Sequence, residues 1–482
     1  MTANPPSRPP LDALVSGPVE DDAEASAAAP VAGAGLRRRA FVGGLWTAVS
    51  FGGAQAIGFV STLIMTRLLV KEDFGIMALV FIVIQGLQMF SEIGTVPALI
   101  QNKREDPAFY NTAWTIGVAR GVVLWLIACL LAYPLSLLRD DWSPLAVLLP
   151  AAAFTCVFNG LKSTAWATAS RRLNIRLIAL IELGTNVARV LCMVAFAYFV
   201  SRSAWALVVG LLVASFIGCV VSHFMIRDIR NRFAFEREAF RELFSYGKWL
   251  FLGTFITFWA GQIDKLLMGA MLSTGLLGLF FIAARLADLG PMFFRKLGGW
   301  VGFPALSDLY RRDEARFRSR LLQLRIAVTA PINAGLLLMI LLGPILTTVL
   351  YQPAYGESGW IVQIIAFGSL AGMVTTPYGN MYMATGRTKF NMLSVAAQLA
   401  AMLMGTVGGF FLARALGHPG EAGFLLGIGA CQWLKYIADA AMAKRCGCWQ
   451  WRFDAVALIG SGVLAYLAIA GSQWLAWRFV LS

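Results

Sequence analysis

The chain has 482 residues, of which 58% are hydrophobic and only 14% are charged. Soluble domains carry about 25% charged residues, so this composition excludes a soluble enzyme or binding domain as the bulk of the protein. The net charge of +14 would also suit a nucleic-acid-binding protein, and the positions of the basic residues must therefore decide between a membrane protein and a nucleic-acid binder.

The N-terminal residues 1–40 are rich in alanine, proline and acidic side chains and poor in large apolar ones. A segment of this composition cannot bury enough apolar surface to fold, so we expect a disordered tail. It ends on Arg37, Arg38 and Arg39, just before the first apolar run. Basic residues beside a membrane span remain on the cytoplasmic side, which places the tail in the cytoplasm.

The rest of the chain consists of apolar runs near the length of about 20 residues that a bilayer requires. We predict thirteen membrane-spanning helices from these runs. They cover residues 41–66, 74–100, 112–138, 143–166, 177–200, 204–225, 247–272, 276–305, 323–350, 359–384, 391–413, 422–443 and 455–479.

The basic residues alternate from loop to loop in the way this topology requires. The loops predicted on the N-terminal side carry 22 Lys and Arg residues, whereas the opposite loops carry only Arg67, Lys71, Arg139, Arg202 and Arg414. A missed span early in the chain would destroy this alternation. The positive charge therefore sets the membrane topology, and no nucleic-acid partner is expected.

The hairpin at residues 59–101 is repeated 203 positions later. Gly58 and Gly75 correspond to Gly261 and Gly278, and most of the remaining pairs are apolar in both copies. Carriers are often built from two related halves with the transport path between them. We therefore expect an all-α protein with two six-helix lobes around a central cavity and one extra C-terminal span. The predicted parts are a tail (1–40), an N-lobe (41–226), a cytoplasmic linker (227–246), a C-lobe (247–443), and a basic loop with the extra span (444–482).

Five sequence segments resemble the polysaccharide-transporter branch of the MOP flippases, the Wzx-type oligosaccharide flippases, and especially the colanic-acid-exporter-like subgroup. The segments are Leu68–Gly75, Ser91–Gln101, Arg172–Arg176, Trp205–Val208 and Asp264–Gly269. The resemblance implies a bacterial inner-membrane flippase without catalytic residues. Its cargo would be undecaprenyl-pyrophosphate-linked oligosaccharide, carried to the outer leaflet for exopolysaccharide, capsule or lipopolysaccharide O-antigen synthesis. It also implies contact with membrane lipids and with the polysaccharide polymerase and export machinery.

Ionisable side chains inside predicted spans are functional candidates, because each costs at least about 2.5–3.5 kcal/mol at the bilayer centre. Arginine suits a pyrophosphate, since its guanidinium binds phosphate oxygens in pairs and stays charged when buried. Binding of the pyrophosphate and sugar is therefore assigned to Arg120, Lys265, Arg285 and Arg295. Coupling or gating is assigned to Glu92, Asp264, Asp288 and Lys296. Sugar contacts are expected from Trp114, Gln262, Tyr378 and Asn380.

Several of these charges also have a purely structural interpretation. Arg285 and Asp288 are three residues apart on one helix face and could neutralise each other. Lys435 and Asp439 are expected to form a local pair. Lys162, Glu182 and His223 lie near helix ends, where long side chains reach polar surroundings. Arg189 lies near the middle of a predicted span and has no assigned role.

Glu92 and Arg295 occupy corresponding positions in the two repeats. We predict that they meet across the seam between the lobes and close the cytoplasmic mouth, alone or with Lys296. The alternative is that Glu92 hydrogen-bonds only within its own lobe.

Two other functions remain open at this point. One is a membrane-embedded polymerase or glycosyltransferase of the same pathway, although the predicted loops carry neither a carboxylate pair nor a nucleotide-binding motif. The other is a small-molecule cation antiporter of the MATE type, which would require an acidic cavity. No cofactor or metal is expected, since only His223 and His418 accompany the seven cysteines; proton or sodium coupling is left open.

Overall fold

A computed structural model of the chain describes residues 29–91, 99, 106–166, 175–224, 231–243, 265–297, 306–307, 310 and 314–481. The regular structure of these residues is helical throughout. The labelled α-helices are α1 (Ala29–Met65), α2 (Lys71–Phe90), α3 (Pro107–Ser136), α4 (Leu145–Leu161), α5 (Ile175–Phe199), α6 (Trp205–Phe224), α7 (Thr274–Ala287), α8 (Leu289–Leu297), α9 (Glu314–Leu350), α10 (Ser358–Ala384), α11 (Thr388–Ala415), α12 (Gly420–Arg445) and α13 (Trp451–Leu481).

Ten helical segments of the described residues are long and apolar enough to cross a membrane. The protein is therefore a multi-pass membrane protein. Of the thirteen predicted spans, three are not among these ten. The span at 247–272 lies mostly outside the described residues. The span at 422–443 corresponds to α12, whose length suffices but whose sequence includes Glu421, Lys435 and Asp439.

The span predicted at 276–305 is wrong as a continuous helix in its described part, because α7 ends at Ala287 and α8 begins at Leu289. Pro291 follows closely and has no N–H with which to continue the helical hydrogen bonds, so a break one turn earlier is expected. Asp288 lies at this break, and its N–H still bonds to the carbonyl oxygen of Ala284.

Two helices begin earlier than predicted. The first starts at Ala29, so the expected disordered tail 1–40 is wrong for residues 29–40; residues 1–28 lie outside the described part. The ninth starts at Glu314, within residues expected to be a cytoplasmic loop. Basic residues of that loop, such as Arg320, therefore belong to the first turns of a helix.

Helices α1–α6 pack together and form what we call the N-lobe, and α7–α13 form the C-lobe. Glycines allow the closest approaches inside each lobe, as in many membrane helix pairs. In the N-lobe, an added Cβ at Gly160 of α4 would lie 2.4 Å from the carbonyl oxygen of Gly117 of α3. In the C-lobe, one at Gly427 of α12 would lie 1.9 Å from the carbonyl oxygen of Gly405 of α11.

The last helix, α13, is attached to the C-lobe by a buried ion pair. Arg325 of α9 and Asp454 of α13 are both fully buried, and their side chains are 2.5 Å apart. Tyr378 of α10 donates a hydrogen bond to Asp454 (2.8 Å) and accepts one from Arg325 (2.9 Å). Because the pair is shared among three helices, the thirteenth span is an integral part of the C-lobe.

The two lobes meet along α2 and α7, which are the corresponding helices of the sequence repeat. An added Cβ at Gly75 would lie 1.8 Å from the carbonyl oxygen of Thr274, and one at Gly278 would lie 1.9 Å from that of Lys71. Lys71 and Thr274 are also 203 positions apart, so the two contacts are equivalent under the repeat. In each, the glycine of one helix packs on the first residue of the other. The repeat predicted from the sequence is thereby confirmed at the lobe–lobe contact, which we call the glycine seam.

The seam lies at the end of the bundle that carries the turn at residues 66–70, here called the turn end. Two short 3-10 turns clamp it, Asp140–Trp142 of the N-lobe and Pro353–Tyr355 of the C-lobe. From the first, Arg139 donates to the carbonyl oxygen of Leu272 (2.7 Å), and Asp141 accepts from the N–H of Thr274 (3.2 Å).

The second 3-10 turn makes the corresponding contacts from the C-lobe to the N-lobe. Tyr355 donates to the carbonyl oxygen of Leu69 (2.7 Å), and Gln352 donates to that of Arg67 (2.8 Å). Each lobe therefore holds the other's hairpin through backbone atoms. The path between the lobes is closed at the turn end.

The predicted inter-lobe linker is described over residues 231–243. Residues 237–243 are helical. Ala239 and Leu243 are buried against Phe109 and Tyr110 at the start of α3, while Phe235 and Phe240 are exposed. The segment thus packs on the N-lobe at the end opposite the turn end.

Candidate functional site

A cavity of about 610 Å³ lies between the lobes, beyond the glycine seam. Its N-lobe wall includes Gln85 and Gln88 of α2 and Asn159 of α4; its C-lobe wall includes Lys265, Arg285 and Asp288. We call it the central cavity. Three predicted site residues, Lys265, Arg285 and Asp288, therefore line one cavity. Lys265 lies before α7 in the chain, whereas Arg285 and Asp288 lie at the end of α7.

Arg285 lines the central cavity from the C-lobe side. Its guanidinium lies against the backbone of α1, where a Cβ at Gly58 would be only 1.8 Å from Nη2. No side chain larger than hydrogen fits at Gly58 while Arg285 keeps this position. The Nε–H of Arg285 is buried and donates no hydrogen bond within the described part of the chain. Such a buried donor costs about 1–3 kcal/mol until an acceptor reaches it.

A second arginine, Arg189 of α5, approaches from the N-lobe. Its stem packs on α6, where a Cβ at Gly210 would lie 3.4 Å from its Cγ. Its Nε–H is also buried without an acceptor among the described residues. The two guanidinium groups are close enough for the charge of Arg285 to act on Arg189. Two like charges in a weakly polar environment repel strongly, so the arrangement favours an anion between the lobes.

Tyr351, at the end of α9, completes this group of polar side chains. Its hydroxyl is buried without a hydrogen-bond partner in the described residues, and it lies within electrostatic range of Arg285. We call Arg189, Arg285 and Tyr351 the arginine cluster. Sequence reasoning noted Arg189 as an intramembrane charge but did not assign it to the site, because nothing along the chain links α5 to α7.

The suggested neutralisation of Arg285 by Asp288 is not seen. The ion pairs of the described residues include none between these two side chains. In contrast, the predicted local pair of Lys435 and Asp439 is confirmed at 3.6 Å.

Arg120 lies away from the arginine cluster. It donates to Ser91 Oγ (2.9 Å) and to the carbonyl oxygen of Gln88 (2.7 Å), and so connects α3 to the end of α2. It lines a second cavity of about 770 Å³ inside the N-lobe, together with Trp114, Asn159 and Lys162. We call this space the N-lobe chamber. It shares Gln85, Gln88 and Asn159 with the central cavity.

The remaining predicted site residues are placed as follows. Glu92, Asp264 and Gln262 lie outside the described residues. Arg295 and Lys296 belong to α8, whose side chains are not described at these positions. Tyr378, expected to line the sugar path, is fully buried in the contact with Arg325 and Asp454, so that expectation is wrong. Its position on an apolar helix could not reveal that its partners come from α9 and α13.

Comparison with known families decides the affiliation. The sequence model of a family described as "Polysaccharide biosynthesis protein" matches residues 64–358. The chain belongs to this polysaccharide biosynthesis protein family. The match includes both hairpins of the repeat, the glycine seam and Arg189 and Arg285.

Two curated relatives are similar to this chain over more than half of its length. "Lipopolysaccharide biosynthesis protein WzxC" of Escherichia coli K12 is 23% identical over 382 residues, covering 77% of this chain and 76% of WzxC. "Succinoglycan biosynthesis transport protein ExoT" of Rhizobium meliloti is 25% identical over 312 residues, covering 60% of this chain and 59% of ExoT.

Solved structures show the same fold at lower identity. The lipid II flippase MurJ, in an inward closed conformation, aligns with a TM-score of 0.62 at 12% identity, covering 91% of this chain and 100% of MurJ. An inward-facing MATE transporter of the MOP superfamily aligns with a TM-score of 0.60 at 14% identity, covering 83% and 94% of the two chains. The expected MOP-type fold is therefore confirmed.

Proposed function

We propose that this protein is a flippase for undecaprenyl-pyrophosphate-linked oligosaccharide, which it moves from the cytoplasmic to the outer leaflet of the bacterial inner membrane. The observation that carries the proposal is the arginine cluster, where Arg285 lines the central cavity and the buried Nε–H groups of Arg285 and Arg189 have no acceptor among the described residues. A pyrophosphate offers dense negative charge and several acceptor oxygens, which suits paired arginines. The names of WzxC and ExoT support a cargo for surface polysaccharide synthesis.

The transport step follows from the closed turn end. Cargo enters the central cavity from the opposite end, and its pyrophosphate binds Arg285 and Arg189. The pyrophosphate then neutralises the positive charges of Arg189 in the N-lobe and Arg285 in the C-lobe. Their repulsion no longer opposes closure, so the free-energy cost of bringing the lobes together at the entry side falls. Opening at the turn end requires the glycine seam and its two clamps to separate. Alternating access of this kind moves a ligand by shifting the population of two states.

The alternatives fit the site less well. A cation antiporter would need the central cavity to attract positive charge, whereas Arg285 and Lys265 in its lining repel it. A polymerase or glycosyltransferase would need groups for proton transfer or nucleophilic attack. The central cavity instead presents guanidinium, ammonium and amide groups, together with Asp288 at a helix break.

Arg285→Ala is expected to reduce export roughly tenfold to a hundredfold, because a hydrogen bond to a charged group contributes about 1.5–3 kcal/mol. Arg285→Lys should retain part of the activity, since it keeps the charge but not the paired donors. The measurement is translocation of fluorescent undecaprenyl-pyrophosphate oligosaccharide in proteoliposomes. Arg202→Ala, an exposed arginine in the turn after α5, is the control. Equal rates for Arg285→Ala and Arg202→Ala would contradict the proposal.

The orientation proposed here places the N-terminus and the 231–243 segment in the cytoplasm and the turn end outside. In a cysteine-free background, Glu357→Cys at the turn end, where the Glu357 side chain is 71% exposed, should react with an impermeant thiol reagent added to intact cells. Glu238→Cys, which replaces an exposed residue of the 237–243 helix, should react only after the membrane is permeabilised. The reverse pattern would invert the topology.

Glu92, Arg295 and Lys296 remain proposed gating residues at the cytoplasmic mouth, with Asp264 and Asp288 proposed for ion coupling. A double-mutant cycle on export tests the pairing of Glu92 with Arg295, and purely additive losses would exclude it. We also propose residues 227–246 as the limits of the linker between the lobes, and the polysaccharide polymerase and export machinery as partners that receive the cargo.

A further inference from the structure

The N-lobe chamber has a different chemical character from the arginine cluster. Its walls combine the indole rings of Trp114 and Trp166 with the amides of Gln88 and Asn159 and the hydroxyls of Thr164 and Thr185. Ligand cavities commonly measure about 300–1,000 Å³, and 770 Å³ lies well inside this range. A space that held only lipid chains would need no amide or hydroxyl groups, because buried polar groups cost free energy unless they are hydrogen-bonded.

The charges of the chamber are mixed and largely engaged. Arg120 is held by Ser91 and the carbonyl oxygen of Gln88. Glu182 accepts a hydrogen bond from Ser50 at 3.2 Å. The stem of Lys162 lies on α6, where a Cβ at Gly218 would be 3.3 Å from Cε. Such a lining does not select a dense anion. It suits a neutral or weakly acidic ligand with many hydroxyl groups and apolar faces, which is the chemistry of a sugar.

The described pocket of the C-lobe, of about 600 Å³, is lined mainly by apolar and aromatic side chains such as Phe367, Trp433 and Leu458. There the region where α9, α10 and α13 meet is filled by Arg325, Tyr378 and Asp454, all fully buried. Tyr382 and Phe317 fill the layer beside them. The two lobes therefore share a fold but differ in the chemistry of their pockets, and of these two pockets only the N-lobe chamber combines aromatic rings with several amide and hydroxyl groups.

The chamber and the central cavity are lined in common by Gln85, Gln88 and Asn159. The two cavities are therefore adjacent. From this juxtaposition we infer that the N-lobe chamber binds the oligosaccharide portion of the cargo while the arginine cluster holds the pyrophosphate. This inference rests on the proposed function. In this arrangement Arg120 is a positioning residue that fixes the end of α2 at the wall of the chamber.

The test uses two adjacent residues of α5 that have the same local bonding. Thr185 Oγ1 and Asn186 Nδ2 both donate to the carbonyl oxygen of Glu182 at 2.9 Å, but of the two only Thr185 lines the chamber. Thr185→Trp should fill the chamber, and Asn186→Trp is the matched control. The probes are undecaprenyl pyrophosphate without sugar and the sugar-bearing lipid that accumulates in a host strain deleted for this protein. Binding to the purified full-length protein is measured by microscale thermophoresis in detergent.

Wild-type protein and the Asn186→Trp variant should bind the sugar-bearing lipid at least tenfold more tightly than the bare lipid, and Thr185→Trp should lose this preference while still binding the bare lipid normally. Equal weakening of both lipids by Thr185→Trp, or the same loss in Asn186→Trp, would overturn the inference. Asn159→Leu, which removes an amide without adding bulk, should lower the preference in the same direction. If the wild-type protein bound neither lipid, the proposed function itself would fail, which separates the two outcomes.

Discussion

Gly75→Leu should abolish export by holding the turn end open. A Cβ at this position would lie 1.8 Å from the carbonyl oxygen of Thr274, and backbone cannot move aside as the tip of a side chain can. Forcing extra carbon atoms into a packed contact costs about 1–3 kcal/mol even where the surroundings yield. Conformational states of a protein often differ by only a few kcal/mol, so the closed seam should lose its population advantage. Because the repeat makes the contact reciprocal, Gly278→Leu should have the same effect.

The expected change is measured by the reactivity of Thr274→Cys toward an impermeant thiol reagent in intact cells. Thr274 is only 6% exposed, so the cysteine should be protected in the otherwise wild-type protein and reactive when Gly75→Leu is added. Gly52→Leu is the matched control, since a Cβ at Gly52 in the neighbouring helix α1 meets nothing within 4 Å. Persistent protection together with normal export in the Gly75→Leu protein would show that the seam is not the closure.

Asp454→Leu should be the most destabilising single change in the C-lobe. It leaves the fully buried guanidinium of Arg325 without its carboxylate, and removing one partner of a buried ion pair costs about 3–5 kcal/mol. It also removes the acceptor for Tyr378 and Tyr436. We expect a clearly lower melting temperature of the detergent-solubilised protein and increased proteolysis of α13.

The double variant Arg325→Met with Asp454→Leu distinguishes an unpaired charge from lost packing. Replacing a whole buried ion pair with apolar residues is often neutral or stabilising, so the double variant should melt nearer to the wild type than Asp454→Leu does. Val456→Ala, at a side chain that is 75% exposed, controls for changes on the outer face of α13. If Asp454→Leu melted like Val456→Ala, the ion pair would not be what attaches the last helix.

Much of the architecture could be predicted from the sequence because the bilayer imposes strict local rules. Apolar runs of one length, basic loops on alternating sides and a hairpin repeated after 203 residues are properties of neighbouring residues along the chain. They predicted the membrane class, the two lobes and the correspondence of Gly75 with Gly278. The helix break at Asp288 could also have been expected from the following Pro291, whose missing N–H is a purely local fact.

The tertiary structure alone decided which charges act together. The helices that carry Arg189 and Arg285 both pack on α1, and Gly58 makes room for the guanidinium of Arg285. Arg325, at the start of a predicted span, is buried because Asp454, more than a hundred residues later, supplies its counter-charge. The same contact buries Tyr378, which was expected to contact the sugar. The cost of a buried polar group depends on the partners that fold against it, and those partners come from distant helices. Hydropathy and spacing therefore determined where the helices run, whereas the contacts between them determined the site.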